Sequence, residues 1–114
     1  MVTKKYIPDA RDIVWVDLDP TKGREQSKTR PALVMSPVAY NKKTGLALMC
    51  PITSVIKGYP FEVALNDKKV EGVVLADHIK SLDWTVRNVR FVSKASPKVI
   101  QKVSNKLSLL LWEK

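Results

Sequence analysis

The chain alternates short apolar runs with polar segments, and most of these runs have the two-residue period of β-strands. RDIVWVDLD places aliphatic residues on one face and Trp15, Asp17 and Asp19 on the other, which predicts a half-buried strand ending at Pro20. PALVMS and LALMCPITS are nearly continuous apolar runs, and the YNKKTG between them has residues typical of a turn. Together they predict an antiparallel hairpin.

Three further apolar segments, YPFEVAL, GVVLADHI and NVRFVSKA, predict the remaining strands. Short strands recurring every ten to fifteen residues or so, with turn residues between them, favour a small closed barrel. The period then changes to that of a helix that begins with Ser96 as N-cap and Pro97 in the first turn. Its apolar stripe contains Val99, Ile100, Val103, Leu107, Leu110 and Leu111. A row of lysines on its other face is more typical of a solvated surface than of an anion-binding stripe.

Length and composition narrow the class of protein. The 114 residues suit one domain, residues 1–114, that is large enough to bury a core. One cysteine, Cys50, and one histidine, His78, exclude an intramolecular disulfide and are too few for a zinc site built from these ligands. No apolar run approaches the roughly 20 residues that span a bilayer. We therefore expect a soluble cytoplasmic protein with no membrane association.

Charge suggests the kind of partner. Twenty lysine and arginine residues against eleven acidic ones give a formal net charge of +9. Such a field attracts polyanions, so nucleic acid or an acidic protein is the expected partner. The alternative explanation is that the excess of basic residues serves only to keep the protein soluble.

Isolated polar residues offer weak candidates for chemistry. Asp17 and Asp19 could hold Mg²⁺ with a substrate phosphate, but no third carboxylate lies nearby in the sequence, so solvation or pairing with lysines is favoured. His78 could transfer protons near neutral pH, although a structural role is more common for a lone histidine. Cys50 lies inside an apolar run and is interpreted as a buried small hydrophobe.

Two strand ends carry stronger candidates. In GREQSKTRPALVMSP a segment without apolar residues runs directly into a strand, and Arg30 stands at the junction, before Pro31. A solvated loop needs charge, but it does not need an arginine at that position. In PITS a strand ends on two hydroxyls, Thr53 and Ser54, which can donate to phosphate oxygens, although threonine is also an ordinary strand residue.

Five ordered segments resemble the MazF/PemK family of toxin endoribonucleases from bacterial toxin-antitoxin pairs, most closely its MazF branch. The segments are VWVDLDPTKGREQSKTRPALVMSP, YNKKTG, PITS, KGYPFEV and GVVLADHIKSLDW, and the similarity as a whole covers roughly residues 6 to 84. The resemblance implies a mainly β, SH3-like barrel (CcdB/PemK-like) with a C-terminal helix. It further implies a homodimer that cleaves single-stranded RNA without a metal or other cofactor and is neutralised by an acidic antitoxin.

The resemblance also implies site residues. It assigns catalysis to Arg30 and Thr53, and it makes Glu25, in the family's EQ pair, a proton acceptor or a residue that positions the arginine. The residue before the arginine is often histidine in the MazF branch and is Thr29 here, so an acid or base role at that position is in doubt. Residues expected to contact RNA are Lys57, Tyr59, Phe61, Lys80, Thr29 and Ser54. For the two aromatic residues, core packing is the favoured alternative.

The reaction can be argued from the residues as well. RNA carries its own nucleophile, the 2′-hydroxyl, so a cation and a hydroxyl that converge on the phosphate supply the electrostatic part of catalysis. Because a guanidinium stays protonated in water, Arg30 is a poor base, and Glu25 or a bound water is left for that step. Two other functions remain open: a non-catalytic toxin of the same fold that binds a topoisomerase, and a barrel that binds nucleic acid passively. Neither needs Arg30 together with Thr53.

Overall fold

Seven strands and two helices make up the part of the chain that the computed structural model describes, residues 5–19 and 28–112. The strands are β1 (Asp12–Asp19), β2 (Lys28–Val34), β3 (Leu46–Thr53), β4 (Glu62–Asn66), β5 (Glu71–Leu75), β6 (Lys80–Asp83) and β7 (Arg90–Lys94). The helices are α1 (Val38–Thr44) and α2 (Pro97–Trp112), and two 3₁₀ turns lie at Ala76–His78 and Trp84–Val86.

All strand pairs are antiparallel, in the order β4-β5-β3-β2-β1-β7, with β6 also pairing with β3. The mainly β fold with a C-terminal helix is therefore confirmed. The expected closure is wrong, because β4 and β7 end the sheet and are not paired with each other in the described ranges. Strand β3 pairs with two different strands along its length: its first half pairs with β6 and its last two residues pair with β5. The sheet therefore bends at β3, but its two edge strands do not meet within the part of the chain that the structure describes.

Strand β1 contributes buried side chains to both faces of the sheet, although a half-buried strand was predicted. Ile13 belongs to one buried cluster, together with Leu33, Ile52 and Val74. The next residue along, Val14, belongs to a second cluster on the other face of the sheet. The face that was predicted to be polar and exposed is only partly so, because the Trp15 side chain is exposed whereas Asp17 is only 8% exposed.

Helix α1 occupies the place where a tight turn was predicted between β2 and β3. The antiparallel pairing of these strands is confirmed, but the connection is helical and ends at Gly45, whose φ of 76° is the left-handed conformation of a helix C-cap. The fully buried Asn41 anchors this helix to the rest of the fold, because its side-chain amide donates to the carbonyls of Pro8 (2.8 Å) and Ser36 (3.0 Å). Glycine after polar residues is typical of both a turn and a helix end, so the sequence pattern did not separate them.

The terminal helix is confirmed, but only part of its predicted stripe is covered. Val99 and Val103 are buried, whereas Leu110 and Leu111 in the last turns are 52% and 69% exposed. The predicted burial of Cys50 is confirmed, and that burial raises the pKa of its thiol to about 12.

Candidate functional site

Arg30 and Thr53 lie on neighbouring central strands. Strands β2 and β3 pair in a register that joins Ala32 to Pro51, Leu33 to Cys50 and Val34 to Met49. Continued by two residues, this register sets Arg30 opposite Thr53 and on the same side of the sheet, because side chains alternate along a strand. The ladder itself ends at the Ala32–Pro51 pair, so this register predicts that the two residues lie near each other just beyond its end.

The backbone of Arg30 is held by strand β1. It pairs with Val16 of β1, so Arg30 lies on a strand with a partner on each flank. Its side chain is exposed. The arginine thus combines a backbone fixed in the sheet with a head group open to a ligand.

Thr53 is held by strand β5 and by its own hydroxyl. Its backbone pairs with Val73, and its Oγ1 accepts a hydrogen bond from the amide of Val55 at 3.1 Å. Because this contact uses a lone pair of Oγ1, the hydroxyl hydrogen stays available for donation to an anion. Gly72 approaches closely: a Cβ there would lie 2.2 Å from the Thr53 carbonyl oxygen.

A cleft of about 460 Å³ opens beside Thr53. Its lining residues are Thr53, Val55, Lys57, Tyr59, Glu62, Leu75 and His78. The cleft brings together three residues that the sequence proposed for RNA contact or catalysis: Thr53, Lys57 and Tyr59. It combines apolar walls with a cation, a carboxylate and an imidazole, a composition suited to a base with its phosphate.

The loop that forms one wall of this cleft is braced by carboxylates. Glu62 accepts hydrogen bonds from the amides of Lys57 (3.0 Å) and Gly58 (3.1 Å), and its own amide donates to the carbonyl of Tyr59 (3.0 Å). The Tyr59 hydroxyl donates to Asp77 Oδ2 at 2.7 Å, and this bond is the main reason that the pKa of Tyr59 is raised. Lys57 is therefore presented from a loop fixed at both ends.

Sequence reasoning missed two of these carboxylates. Glu62 and Asp77 have no separate pattern of their own, since KGYPFEV and GVVLADHI read as strands with polar residues. Asp77 Oδ1 is buried without a hydrogen-bond partner among the described residues, and His78 Nε2 lies 3.9 Å from it. His78, for which a structural role was favoured, is exposed and lines the cleft.

The other predicted residues are distributed around this region. Ser54 is exposed directly after β3, and Phe61 packs partly against the core with its ring centroid 5.8 Å from that of Tyr59. Core packing therefore applies to the phenylalanine, whereas Tyr59 is 46% exposed. Lys80 is exposed on β6, where it pairs with Met49. Glu25 lies outside the described residues.

Asp17, one of the two aspartates considered as magnesium ligands, accepts hydrogen bonds from other segments. Asp17 Oδ1 accepts from the hydroxyl of Thr29 at 2.9 Å, and Asp17 Oδ2 accepts from the amide of Asn88 at 3.0 Å. Asp17 is therefore held by hydrogen bonds from two other segments of the chain. Within residues 5–19 and 28–112, histidine, cysteine, aspartate and glutamate form no group of three suited to a metal.

The fold and the site define a class: a small, basic, mainly β protein with an exposed arginine on β2 and a threonine at the end of the neighbouring strand β3. Residues 9–111 match the family described as the PemK-like, MazF-like toxin of type II toxin-antitoxin systems, and the chain belongs to that family. The predicted family is confirmed. Among the described residues, no helix is both long enough and apolar enough to cross a lipid bilayer.

Individual relatives agree with this assignment. The chain is 44% identical over 110 residues to the endoribonuclease toxin MazF of Escherichia coli K12, covering 96% of this chain and 99% of that protein. It is 51% identical to a crystal structure of MazF from Deinococcus radiodurans, with a TM-score of 0.85 and coverage of 94% and 98%. A MazE-MazF structure from the same organism is 50% identical with a TM-score of 0.89, covering 96% of this chain and 100% of that one. The names of these relatives agree with the predicted enzyme class.

Proposed function

We propose that this protein is the RNA-cleaving toxin of a type II toxin-antitoxin pair, which cuts single-stranded mRNA at short sequences and so stops translation and growth. The proposal is supported by the β2–β3 register, which would set Arg30 opposite Thr53 if it continued two residues beyond the Ala32–Pro51 pair. A protein that only binds nucleic acid, or a topoisomerase, does not need this pair. The endoribonuclease names of the relatives further favour cleavage over these two alternatives.

The proposed chemistry uses the nucleophile that RNA carries. The 2′-hydroxyl attacks the adjacent phosphorus, the bond to the 5′-oxygen of the next nucleotide breaks, and the products have 2′,3′-cyclic phosphate and 5′-hydroxyl ends. The planar guanidinium of Arg30 donates to the non-bridging oxygens as charge develops on them, and Thr53 donates its hydroxyl hydrogen to the same group. These two residues supply the charge stabilisation for which other nucleases use a metal.

Two protons must also move, one from the 2′-hydroxyl and one to the leaving oxygen. Glu25 is the acceptor that the family resemblance proposes. His78 lines the same cleft as Thr53, and its exposed imidazole is the candidate donor to the leaving group. Lys57 holds the neighbouring phosphate, and Tyr59 offers an exposed ring for stacking of an unpaired base.

The net charge of the protein and the known structures of its relatives support two partners, RNA and an acidic antitoxin. A surface with a net charge of +9 attracts an acidic peptide as well as RNA, and an acidic antitoxin that competes for the cleft fits the MazE-MazF complex of the related structure. We further propose that the toxin acts in the cytoplasm as a homodimer.

The test is cleavage of a long RNA in excess EDTA, with the new 5′ ends mapped and their chemistry read by whether ligation requires a kinase. Arg30→Ala and Thr53→Ala should each slow cleavage by at least about 10²-fold, the effect of losing one preorganised contact to the transition state. Binding of a 2′-deoxy analogue, measured by fluorescence anisotropy, should weaken much less.

Lys98→Ala is the matched control, because it removes the same charge from the exposed surface of α2. Near wild-type cleavage by Arg30→Ala would refute the assignment of the site. Loss of cleavage in EDTA that Mg²⁺ restores would refute the chemistry.

A further inference from the structure

The end of strand β1 carries a carboxylate that is almost completely buried. Asp17 is 8% exposed, and its two oxygens accept hydrogen bonds from side chains of separate elements: Thr29 Oγ1 of β2 at 2.9 Å and Asn88 Nδ2 at 3.0 Å. Asn88 belongs to the turn between the second 3₁₀ turn and β7. A buried carboxylate with such partners ties three segments together, since removing one partner leaves a desolvated charge.

The backbone around Asp17 is held by the same turn. The amide of Asp17 donates to the carbonyl of Arg87 at 3.0 Å, and Arg87 Nη1 donates back to the carbonyls of Asp17 (2.9 Å) and Leu18 (3.1 Å). Asn88 has a φ of 52°, a left-handed conformation that asparagine adopts more readily than most residues. The turn at residues 87 and 88 thus holds both the main chain and the side chain of Asp17.

This arrangement lies beside Arg30. In the β1–β2 ladder Asp17 is opposite Thr29 and Val16 is opposite Arg30, and the regular register is interrupted just after Asp17. The hydrogen bond between Thr29 and Asp17 therefore joins the last regular pair of the ladder. Arg30 is the next residue of β2, so the bond holds the main chain on one side of Arg30, whose own side chain lies on the opposite face of the sheet from Thr29.

We propose that Asp17 is a positioning residue, which acts through Thr29 to hold Arg30 against the phosphate. The inference rests on the proposed function, in which Arg30 contacts the reacting group. It also assigns a role to position 29: the Thr29 hydroxyl donates to Asp17, so it orients the arginine and takes no part in proton transfer.

The experiment exchanges the two members of the Asp17–Asn88 pair. In Asp17→Asn two amides oppose each other, and we expect kcat for RNA cleavage to fall by roughly 10- to 10²-fold, the cost of a small misplacement. KM should change by less than about threefold, because binding does not depend on the transition-state contact. In the double variant Asp17→Asn, Asn88→Asp, the amide at 17 donates to the carboxylate at 88 and still accepts from Thr29. It should regain at least about tenfold in kcat.

A carboxylate elsewhere provides the control for stability. Asp67 accepts from Ser93 Oγ at 3.1 Å and from the amide of Lys69 at 2.9 Å, so Asp67→Asn perturbs a comparable network away from the site. It should lower the melting temperature without lowering kcat. If Asp17→Asn does not fold, the test uses two variants of the exposed Thr29. Thr29→Val should have a lower kcat than wild type, whereas Thr29→Ser, which keeps the hydroxyl, should have the wild-type kcat.

Wild type and Arg30→Ala are assayed alongside the variants. If wild type does not cleave, or if Arg30→Ala cleaves like wild type, the proposed function fails whatever the Asp17 variants do. If both behave as expected, a folded Asp17→Asn protein with wild-type kcat overturns the positioning role alone. A double variant no faster than Asp17→Asn also overturns it.

Discussion

Replacing Gly72 by alanine tests whether the position of Thr53 controls the reaction. Gly72 has a φ of 132°, a conformation that other residues rarely adopt, and its Cβ would lie 2.2 Å from the oxygen and 2.8 Å from the carbonyl carbon of Thr53. Both atoms are main chain, so no side-chain rotation can relieve the clash. Ordinary contact begins near 3.4 Å, so β5 and the end of β3 must separate by about 1 Å.

The expected effects follow from this displacement. Backbone strain and overpacking contribute about 1–3 kcal/mol each, so the free energy of unfolding should fall by roughly 2–5 kcal/mol. A shift of about 1 Å in a catalytic group costs on the order of 10²-fold in rate, so kcat should fall by that factor in protein that remains folded. Urea denaturation measures the first quantity, and single-turnover cleavage of a short RNA at low temperature measures the second.

Gly45→Ala is the matched control. Gly45 also has a left-handed φ of 76°, but the nearest atom to its Cβ is the side-chain Cγ2 of Thr85 at 3.8 Å. It should therefore lose only about 1–2 kcal/mol of stability and retain wild-type cleavage. The reasoning is refuted if folded Gly72→Ala cleaves RNA as fast as the Gly45→Ala protein.

Two further predictions concern titrating groups away from the site. Because burial raises the pKa of Cys50 to about 12, its thiol should react with a disulfide reagent at pH 8 only as fast as the protein unfolds, and fast labelling of native protein would contradict its burial. The amides of Val38 and Ala10 and the ammonium of Lys94 hold the pKa of Asp9 below its ordinary 3.8. That contribution to stability is present above pH 3.8 and is lost as the pH falls through the lower folded-state value. Melting temperatures between pH 5 and pH 2 should therefore fall more steeply for wild type than for Asp9→Asn, and equal slopes would exclude this role.

Much of the secondary structure and of the reactive chemistry could be predicted from local sequence. The two-residue period around Val14 and the helical period from Val99 predicted the first strand and the last helix, because each side of a strand or helix must face either core or solvent. Arg30 before Pro31 and Thr53 at a strand end were recognisable from residue type and position. Bringing the two residues together needs the β2–β3 register, which pairs residues 15 to 19 positions apart.

What only the tertiary structure decided are contacts between residues far apart in the chain. Asp17 belonged to the polar face of an alternating pattern, yet Asn88, 71 positions away, and the Thr29 hydroxyl satisfy its carboxylate in a buried site. Tyr59 and Asp77 are 18 positions apart, and their hydrogen bond helps to fix the wall of the cleft. Periodicity reports which face of a strand a side chain occupies, but whether that face meets water or another segment depends on how the sheet bends. Burying a polar side chain is tolerated only where a hydrogen-bond partner is present. When that partner is distant in the chain, the local sequence pattern does not indicate it.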